Sequence, residues 1–529
     1  MVQFIMRSFL WRCSRLSTVG LLFVFFCGSW LVLAPAAEKS SSYLAALESI
    51  KADELGQCVD RLADADLEGR RAGTRGGLAA AKYLAKQYER LGLQKAGTNE
   101  NYFQPFAPNY RNVLAILPGS DPQLRDQVIV VGAHFDHIGY GGRRSLGPYG
   151  YVHPGADDNA SGTSAVLEAA EAFTVLAVAP KRSILFAHWD AEEIGLLGSK
   201  HWVAHPTIPL KRVVAAINLD MVGRLRDEQL FLYGSRSGYG WRRLVSFQND
   251  DSALRFDFSW TLKPNADHYP FFERDIPVLM FHTGLHKDYH RPSDVAKLIN
   301  TSGMAQVTRL LFGVLYDLAD RPSAIPGFRA VACHETTAMR KAILSRKAKP
   351  ADRLGVGWVD DAAVVGGVRA SIVAPDSPAD RAGLRVGDRI VRFAGREIRG
   401  DDDFFGIVAT AESPASLTVE RPGDEKPLDL TVKLLGNPLR WGITWRVDEA
   451  EPGTVILSHV VPGTPAARAG LVVGDRIYQV GGHDFADEAE FARRIKTAPE
   501  SLPLLVEQDG RLRIVILQIQ QTDPAKRAA

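Results

Sequence analysis

The chain has 529 residues, 46% hydrophobic and 23% charged, a globular composition too long for one core, so two to four domains are expected. Its 63 basic and 61 acidic residues nearly cancel, and no basic block with interleaved aromatics occurs, which argues against a nucleic-acid binder. Of four cysteines only Cys58 and Cys333 lie beyond residue 37, which excludes a disulfide framework or a cysteine zinc cluster; any metal chemistry must use His, Asp and Glu.

Residues 1–37 stand apart. Arg7, Arg12 and Arg15 precede an uncharged run from Leu16 to Ala37, which ends near Ala34-Pro35-Ala36. That is the pattern of an export signal with a small-residue cleavage site, so the chain is expected in the periplasm or outside the cell. The run is nearly long enough to span a bilayer, and an uncleaved membrane anchor is the alternative.

Residues 39–95 read as helical, with GLAAAKYLAKQYERLGL the clearest amphipathic segment and Gly92 its stop. Short apolar runs follow: VLAIL, QVIVVGAHFD, RSILFAHWD, VVAAINLD and IPVLMFHTG. They alternate with helical patterns such as SGTSAVLEAAEAF. This predicts an α/β domain over 38–320, a mostly parallel sheet sandwiched by helices. A Pro-bearing, then basic stretch over 321–350 reads as a linker.

The C-terminal third repeats itself. VAPDSPADRAGLRVGDRI (373–390) returns 87 positions later as VVPGTPAARAGLVVGDRI (460–477), preceded by RLGVGW and RWGITW respectively. Two small α+β units, 351–436 and 437–520, are expected. They resemble PDZ domains, in the arrangement common in bacterial periplasmic proteases. By that resemblance the Leu354–Gly357 and Trp441–Thr444 loops would offer amides to a peptide C-terminal carboxylate, and the bound chain would extend the sheet edge.

The chemistry lies at the ends of the apolar runs. QVIVVGAH leads to His134-Phe135-Asp136, RSILFAHWDA to Glu192-Glu193, VVAAINL to Asp220, and IPVLMFHTG through a short loop to Tyr289-His290. HPGADDNASG sets Asp157 beside Asp158 at a helix start. Strand C-termini of an open parallel sheet face one crevice, so His134, Asp136, Asp157, Glu192, Glu193, Asp220 and His290 should gather there. Three carboxylates (Asp157, Glu193, Asp220) and one hydroxide balance two divalent cations, and the neutral imidazoles of His134 and His290 complete the set. A bridging carboxylate would hold the ions about 3.5–4 Å apart. Zinc suits mixed His and carboxylate ligands best, with Co2+ or Mn2+ as substitutes.

GAHFDH, PGADDNASG, DAEEIGLLGS, NLDMVGR and YHRPSD resemble, in order, the five motifs of M28-family zinc aminopeptidases. The resemblance implies that Asp157 bridges two Zn2+, with His134 and Asp220 on one ion and Glu193 and His290 on the other. It makes Glu192 the general base, Asp136 the carboxylate that holds the His134 ring, and Tyr289 a residue that helps stabilise the oxyanion. A cis peptide between Asp157 and Asp158 is also implied, with Asp158 shaping the turn. The expected function is removal of N-terminal residues from peptides. Carboxypeptidase, dipeptidase or glutaminyl-cyclase-like chemistry on the same scaffold is the alternative, as is a non-catalytic peptide-binding scaffold.

Other residues read as structural. His137 and His153 are taken as surface histidines and His188 as a hydrogen-bonded core residue. His268, in ADHYPFF, falls in a segment that lines the cleft. His334-Glu335 lacks the second histidine of an H-E-x-x-H helix. GYGGRRSLGPYGYV (139–152) is an insertion expected to act as a lid or specificity loop.

Overall fold

Seven consecutive buried residues, Val128 to His134, set the pattern of the first half of the molecule, because a strand buried on both faces needs helices on both sides. The computed structural model describes residues 40–106, 109–249, 254–344, 353–360, 366–462 and 464–519. The expected export segment lies outside the described residues, as does the end of the expected linker.

One nine-stranded sheet organises the described residues up to 344. Its strands are β1 (Gln94–Lys95), β2 (Phe103–Phe106), β3 (Tyr110–Leu117), β4 (Val128–His134), β5 (Ser183–Trp189), β6 (Val213–Leu219), β7 (Gln229–Tyr233), β8 (Arg255–Phe258) and β9 (Val278–His282). The order is β1-β3-β5-β4-β6-β9-β7-β8, with β2 beside β3. β5, β4, β6 and β9 run parallel, and these are four of the five expected apolar runs; β3 is the fifth and pairs antiparallel with β5.

Alternate residues of each central strand feed two cores. Ile129, Val131 and Ala133 join the cluster containing α1 (Ser41–Ser49), α2 (Ala52–Leu62), α3 (Arg75–Arg90) and α4 (Gly162–Val175). Val128 and Val130 face the other cluster, which holds Trp202 of α5 (Leu197–Ala204). α6 (Trp241–Phe247) and α8 (Thr301–Asp320) complete the first core, and α7 (Tyr269–Phe272) the second. α3 stops as its sequence predicts: Gly92 takes φ 66°, and Leu93 N–H returns to the Tyr88 carbonyl at 3.2 Å.

Two six-stranded sheets follow, 356–432 and 443–518, each with a helix, Asp401–Thr410 and Glu488–Thr497. The 87-residue offset holds in three dimensions. Trp358 meets Phe404 edge-on, with centroids 4.9 Å apart, as Trp445 meets Phe491 at 4.8 Å. Val356–Asp360 and Ile443–Arg446 are sheet edges, free on one side to pair with another chain among the described residues. Between 321 and 344 the chain is packed against the peptidase-like sheet. Arg329 is buried, and Glu335 pairs with both Arg236 and Arg329, so the His-Glu dipeptide is structural.

Candidate metal centre and active site

Because β5, β4, β6 and β9 are parallel, their C-terminal ends open on one side, and the expected acids and histidines converge there. His134 closes β4, Glu192 and Glu193 follow β5, Asp220 follows β6, and His290 lies on the loop after β9; all are buried. The wide turn Ala156–Ser161, leading into α4, brings the two aspartates to the same place.

The structure corrects which aspartate faces the cluster. Asp158 sends Oδ1 to within 3.4 Å of His134 Nε2 and Oδ2 to within 3.0 Å of His290 Nε2. Asp157 turns away: its carboxylate accepts from the Gly223 amide (2.7 Å), the Ser161 hydroxyl (3.0 Å) and His286 Nε2 (3.0 Å). Asp157 is thus engaged away from the cluster, and the carboxylate placed to be shared between the two histidines is that of Asp158. The cis peptide is likewise one residue further on, between Asp158 and Asn159.

Two half-sites share Asp158. In one, His134 Nε2 lies 3.6 Å from Asp220 Oδ1. In the other, His290 Nε2 is 3.3 Å from Glu193 Oε2, and His137 Nδ1 is 2.8 Å from Glu193 Oε1. Ligands at about 2.0–2.2 Å around a tetrahedral ion would be about 3.3–3.6 Å apart, so most of these separations fit one ion per half-site. The His137 contact fits in a different way. It is short enough for a hydrogen bond, yet neither His137 Nδ1 nor Glu193 Oε1 makes one among the described residues. Two buried polar atoms aligned with something other than each other suit a shared cation.

Electrostatics agree. At the two histidines, burial and the neighbouring carboxylates act against each other. His290 is raised to about 10 by Asp158 and Glu193 despite burial, and His134 is raised well above its usual range. Asp158 is held well below the usual carboxylate range by His134 and His290 against the effect of burial. The cluster thus draws positive charge, which divalent ions would supply.

The surrounding residues fix this arrangement. His134 Nδ1 donates to the Asp136 backbone carbonyl at 3.1 Å, while the Asp136 carboxylate lies 3.7 Å away. Asp136 thus meets the His134 ring through both its backbone carbonyl and its carboxylate. The same carboxylate accepts the amides of Glu192 (3.0 Å) and Glu193 (3.4 Å), anchoring that turn. His290 Nδ1 donates to the Arg144 carbonyl at 2.8 Å, so the 139–152 insertion orients a site histidine. Tyr289 stacks on His290 with centroids 3.9 Å apart, and burial beside the carboxylates holds its hydroxyl protonated.

Three further residues emerge only from the structure. Arg70, fully buried, donates to the carbonyls of Leu62, Phe135, Pro154 and Gly155, pinning the loops that carry His137 and the aspartates. Asp294 accepts the amides of Asp157 (2.9 Å) and Asp158 (3.1 Å). Asp267 is buried with Oδ2 unpartnered among the described residues. Asp294 ends the quoted YHRPSD motif and Asp267 precedes His268, so both were within reach; Arg70 carried no such signal. His137 and His153, expected on the surface, are buried: His137 lies 2.8 Å from Glu193, and Ser145 of the insertion meets His153 Nε2 at 2.7 Å. His188 is the core residue expected, bonded to Tyr88 at 2.8 Å.

Known proteins resemble parts of this chain. The model of peptidase family M28 matches residues 112–315, and the PDZ domain model matches 370–421 and 456–508. Aminopeptidase YwaD of Bacillus subtilis (strain 168) is 32% identical over 246 residues, 44% of this chain and 48% of that protein. Leupeptin-inactivating enzyme 1 of Streptomyces exfoliatus is 32% identical over 242 residues, 45% of this chain and 50% of that protein. The chain spans about half the length of these curated relatives. Among solved structures, the LapA aminopeptidase of Legionella pneumophila matches with a TM-score of 0.45 at 25% identity, covering 54% of this chain and 76% of that one. BSAP, a zinc aminopeptidase from Bacillus subtilis, matches with a TM-score of 0.42 at 19% identity, covering 53% and 99%. The chain carries a peptidase family M28 domain followed by two PDZ domains.

Proposed function

We propose that the chain is an exported, two-zinc aminopeptidase whose PDZ domains engage peptide C-termini. The observation that carries the reading is the division of Asp158, one oxygen toward His134 and the other toward His290. His134 and Asp220 would hold one zinc, and Glu193, His290 and His137 the other, with Asp158 between them. Zinc held there supplies a Lewis acid for the carbonyl oxygen and lowers the pKa of water to about 7. Co2+ or Mn2+ would fit the same donors.

The protein's own groups do the rest. Glu192 stands outside the two half-sites; it removes the proton of the attacking water and returns it to the departing amine. Tyr289, kept protonated, donates toward the oxygen on which charge develops. The free ammonium of an N-terminal residue needs an acid, and Asp267 supplies one near Asp220 and Glu192, both of which interact with it electrostatically. Export rests on the Arg-flanked apolar run before Glu38, and peptide capture by the PDZ domains on their two free sheet edges.

The test uses the chain from Glu38 onward, zinc-loaded, and its Glu192→Gln variant, each with one long peptide, either free or acetylated at its N-terminus. Mass spectrometry should show stepwise loss from the free N-terminus only, reduced about 1,000-fold or more in the variant. Loss from the C-terminus, or cyclisation of an N-terminal glutamine, would move the assignment to another chemistry. Retention of an intact peptide would leave a binding scaffold.

A further inference from the structure

Beyond Asp220, β9, β7 and the segment that follows β8 wall a cavity of about 330 Å3. It begins where the metal cluster ends. Phe281, whose carbonyl accepts the Asp220 amide at 3.1 Å, lies between Met280 and His282, which both line the cavity. His268, also in its wall, is within electrostatic reach of Asp220.

Met280 and Leu285 give the lining an apolar share. Its polar members include Tyr233, Ser259, Thr261, Asn265, His268 and Lys263, and no carboxylate is among them. The acid that acts on Tyr233, Asp257, is already paired with Arg340 at 2.7 Å. Lys263 is exposed, and its ammonium has no ion pair or hydrogen bond among the described residues. His268 is only 2% exposed, yet neither ring nitrogen has a partner among the described residues. Buried polar atoms are almost always satisfied, so an imidazole facing a cavity in this state calls for a hydrogen-bonding occupant.

We propose that this cavity receives the side chain of the substrate's N-terminal residue and selects an acidic one, aspartate or glutamate. Lys263 pairs with the carboxylate and His268 donates to it; the inference rests on the aminopeptidase reading above. A residue whose ammonium is held by Asp267 carries its side chain one carbon away, and this cavity, walled by the neighbouring His268, lies on that side of the cluster. The larger cavity, about 620 Å3, opens on the Glu193 side beneath the 139–152 insertion and leaves room for the continuing peptide. A leucine side chain would leave His268 unpaired, and a lysine would meet Lys263 with like charge.

The test is a set of four peptides identical except for an N-terminal Glu, Gln, Leu or Lys, given to the zinc-loaded full chain. Glu should exceed Leu, Gln and Lys by about tenfold or more in kcat/KM. Lys263→Ala should bring the Glu-to-Gln ratio to near one, and Lys263→Glu should invert the Glu-to-Lys preference. Free glutamate should inhibit the unmodified protein more strongly than free glutamine. Release of Leu ahead of Glu, equal rates for Glu and Gln, or a Lys263→Ala effect equal on all four would overturn the acidic preference and leave the aminopeptidase reading intact. Failure to release any N-terminal residue would overturn both.

Discussion

At the scale of single residues, the molecule distinguishes two adjacent aspartates by what donates to them. Asp157 receives three donors from Gly223, Ser161 and His286, while Asp158 faces only the cluster. Asp158→Asn should therefore reduce bound zinc from two ions per chain to one or fewer and cut peptide release about 1,000-fold. Asp157→Asn should keep two zincs and lower the thermal midpoint, at a cost of about 1–3 kcal/mol for donors left poorly matched. Metal analysis of the two variants alongside their melting curves separates these outcomes; loss of zinc in the Asp157 variant alone would return the bridge to Asp157. This is also where the sequence was least legible. His134, Glu192, Glu193, Asp220 and His290 could be placed because each follows an apolar run, and strand direction alone puts them together. No periodicity tells one Asp of a pair from the other. Two of the groups that make the choice, Gly223 and His286, lie more than sixty positions away, and the loop beside His137 is likewise pinned from a distance, by Arg70.

At the scale of elements, runs buried on both faces were easy to read and short, half-exposed ones were not. β4 and β5 are buried at every position, whereas β7 alternates and β8 spans four residues, so their apolar signal is weak. Yet β7 and the segment that follows β8 wall the cavity beside the cluster. The helices were legible as amphipathic segments, but α4 hides a charged group. Glu168 accepts the Lys51 amide at 2.9 Å and is raised to about 7, chiefly by burial, with Glu54 and Glu171 adding to the effect. A carboxyl that is easier to protonate in the folded chain than in the unfolded one stabilises the fold at low pH. That contribution is lost as pH rises from about 4.5 through 7. Glu168→Gln keeps the acceptor for Lys51 and removes the charge. It should raise stability at pH 8 by about 1 kcal/mol, allowing for solvent screening, and leave it unchanged near pH 4. Melting curves of both proteins at the two pH values check the sign; an equal shift at both would mean packing, not ionisation, is responsible.

At the scale of the whole molecule, the second PDZ domain is built into the peptidase domain. Arg242 of α6 meets Glu507 through two hydrogen bonds of 2.8 and 3.0 Å, and Arg476 lies 3.8 Å from the same carboxylate, all of them buried. The hairpin tip that follows Glu507 reaches β8: Phe256 N–H donates to the Asp509 carbonyl at 2.8 Å, and Asn249 donates to that of Gly510 at 2.9 Å. Gly510 has φ 83°, and a Cβ there would come within 2.1 Å of the Phe256 ring, so the approach depends on glycine. β8 leads directly into Ser259 and Thr261 of the cavity wall, which gives this domain a mechanical hold on the proposed specificity site. Glu507→Ala leaves the Arg242 guanidinium buried without its partner, while Arg476 keeps Glu451. It should destabilise the chain by about 3–5 kcal/mol, whereas removing the exposed partner of Arg511 at the same seam, by Glu228→Ala, should cost about 0–1 kcal/mol. If the hold on β8 matters, Glu507→Ala should also raise KM for a peptide with an acidic N-terminus at a temperature where the chain remains folded. Its kcat should stay near that of the unaltered chain, since the residues of the cluster follow β4, β5, β6 and β9 or precede α4, and none lies on β8. A fall in kcat with KM unchanged would show instead that the docked domain acts on the metal centre itself.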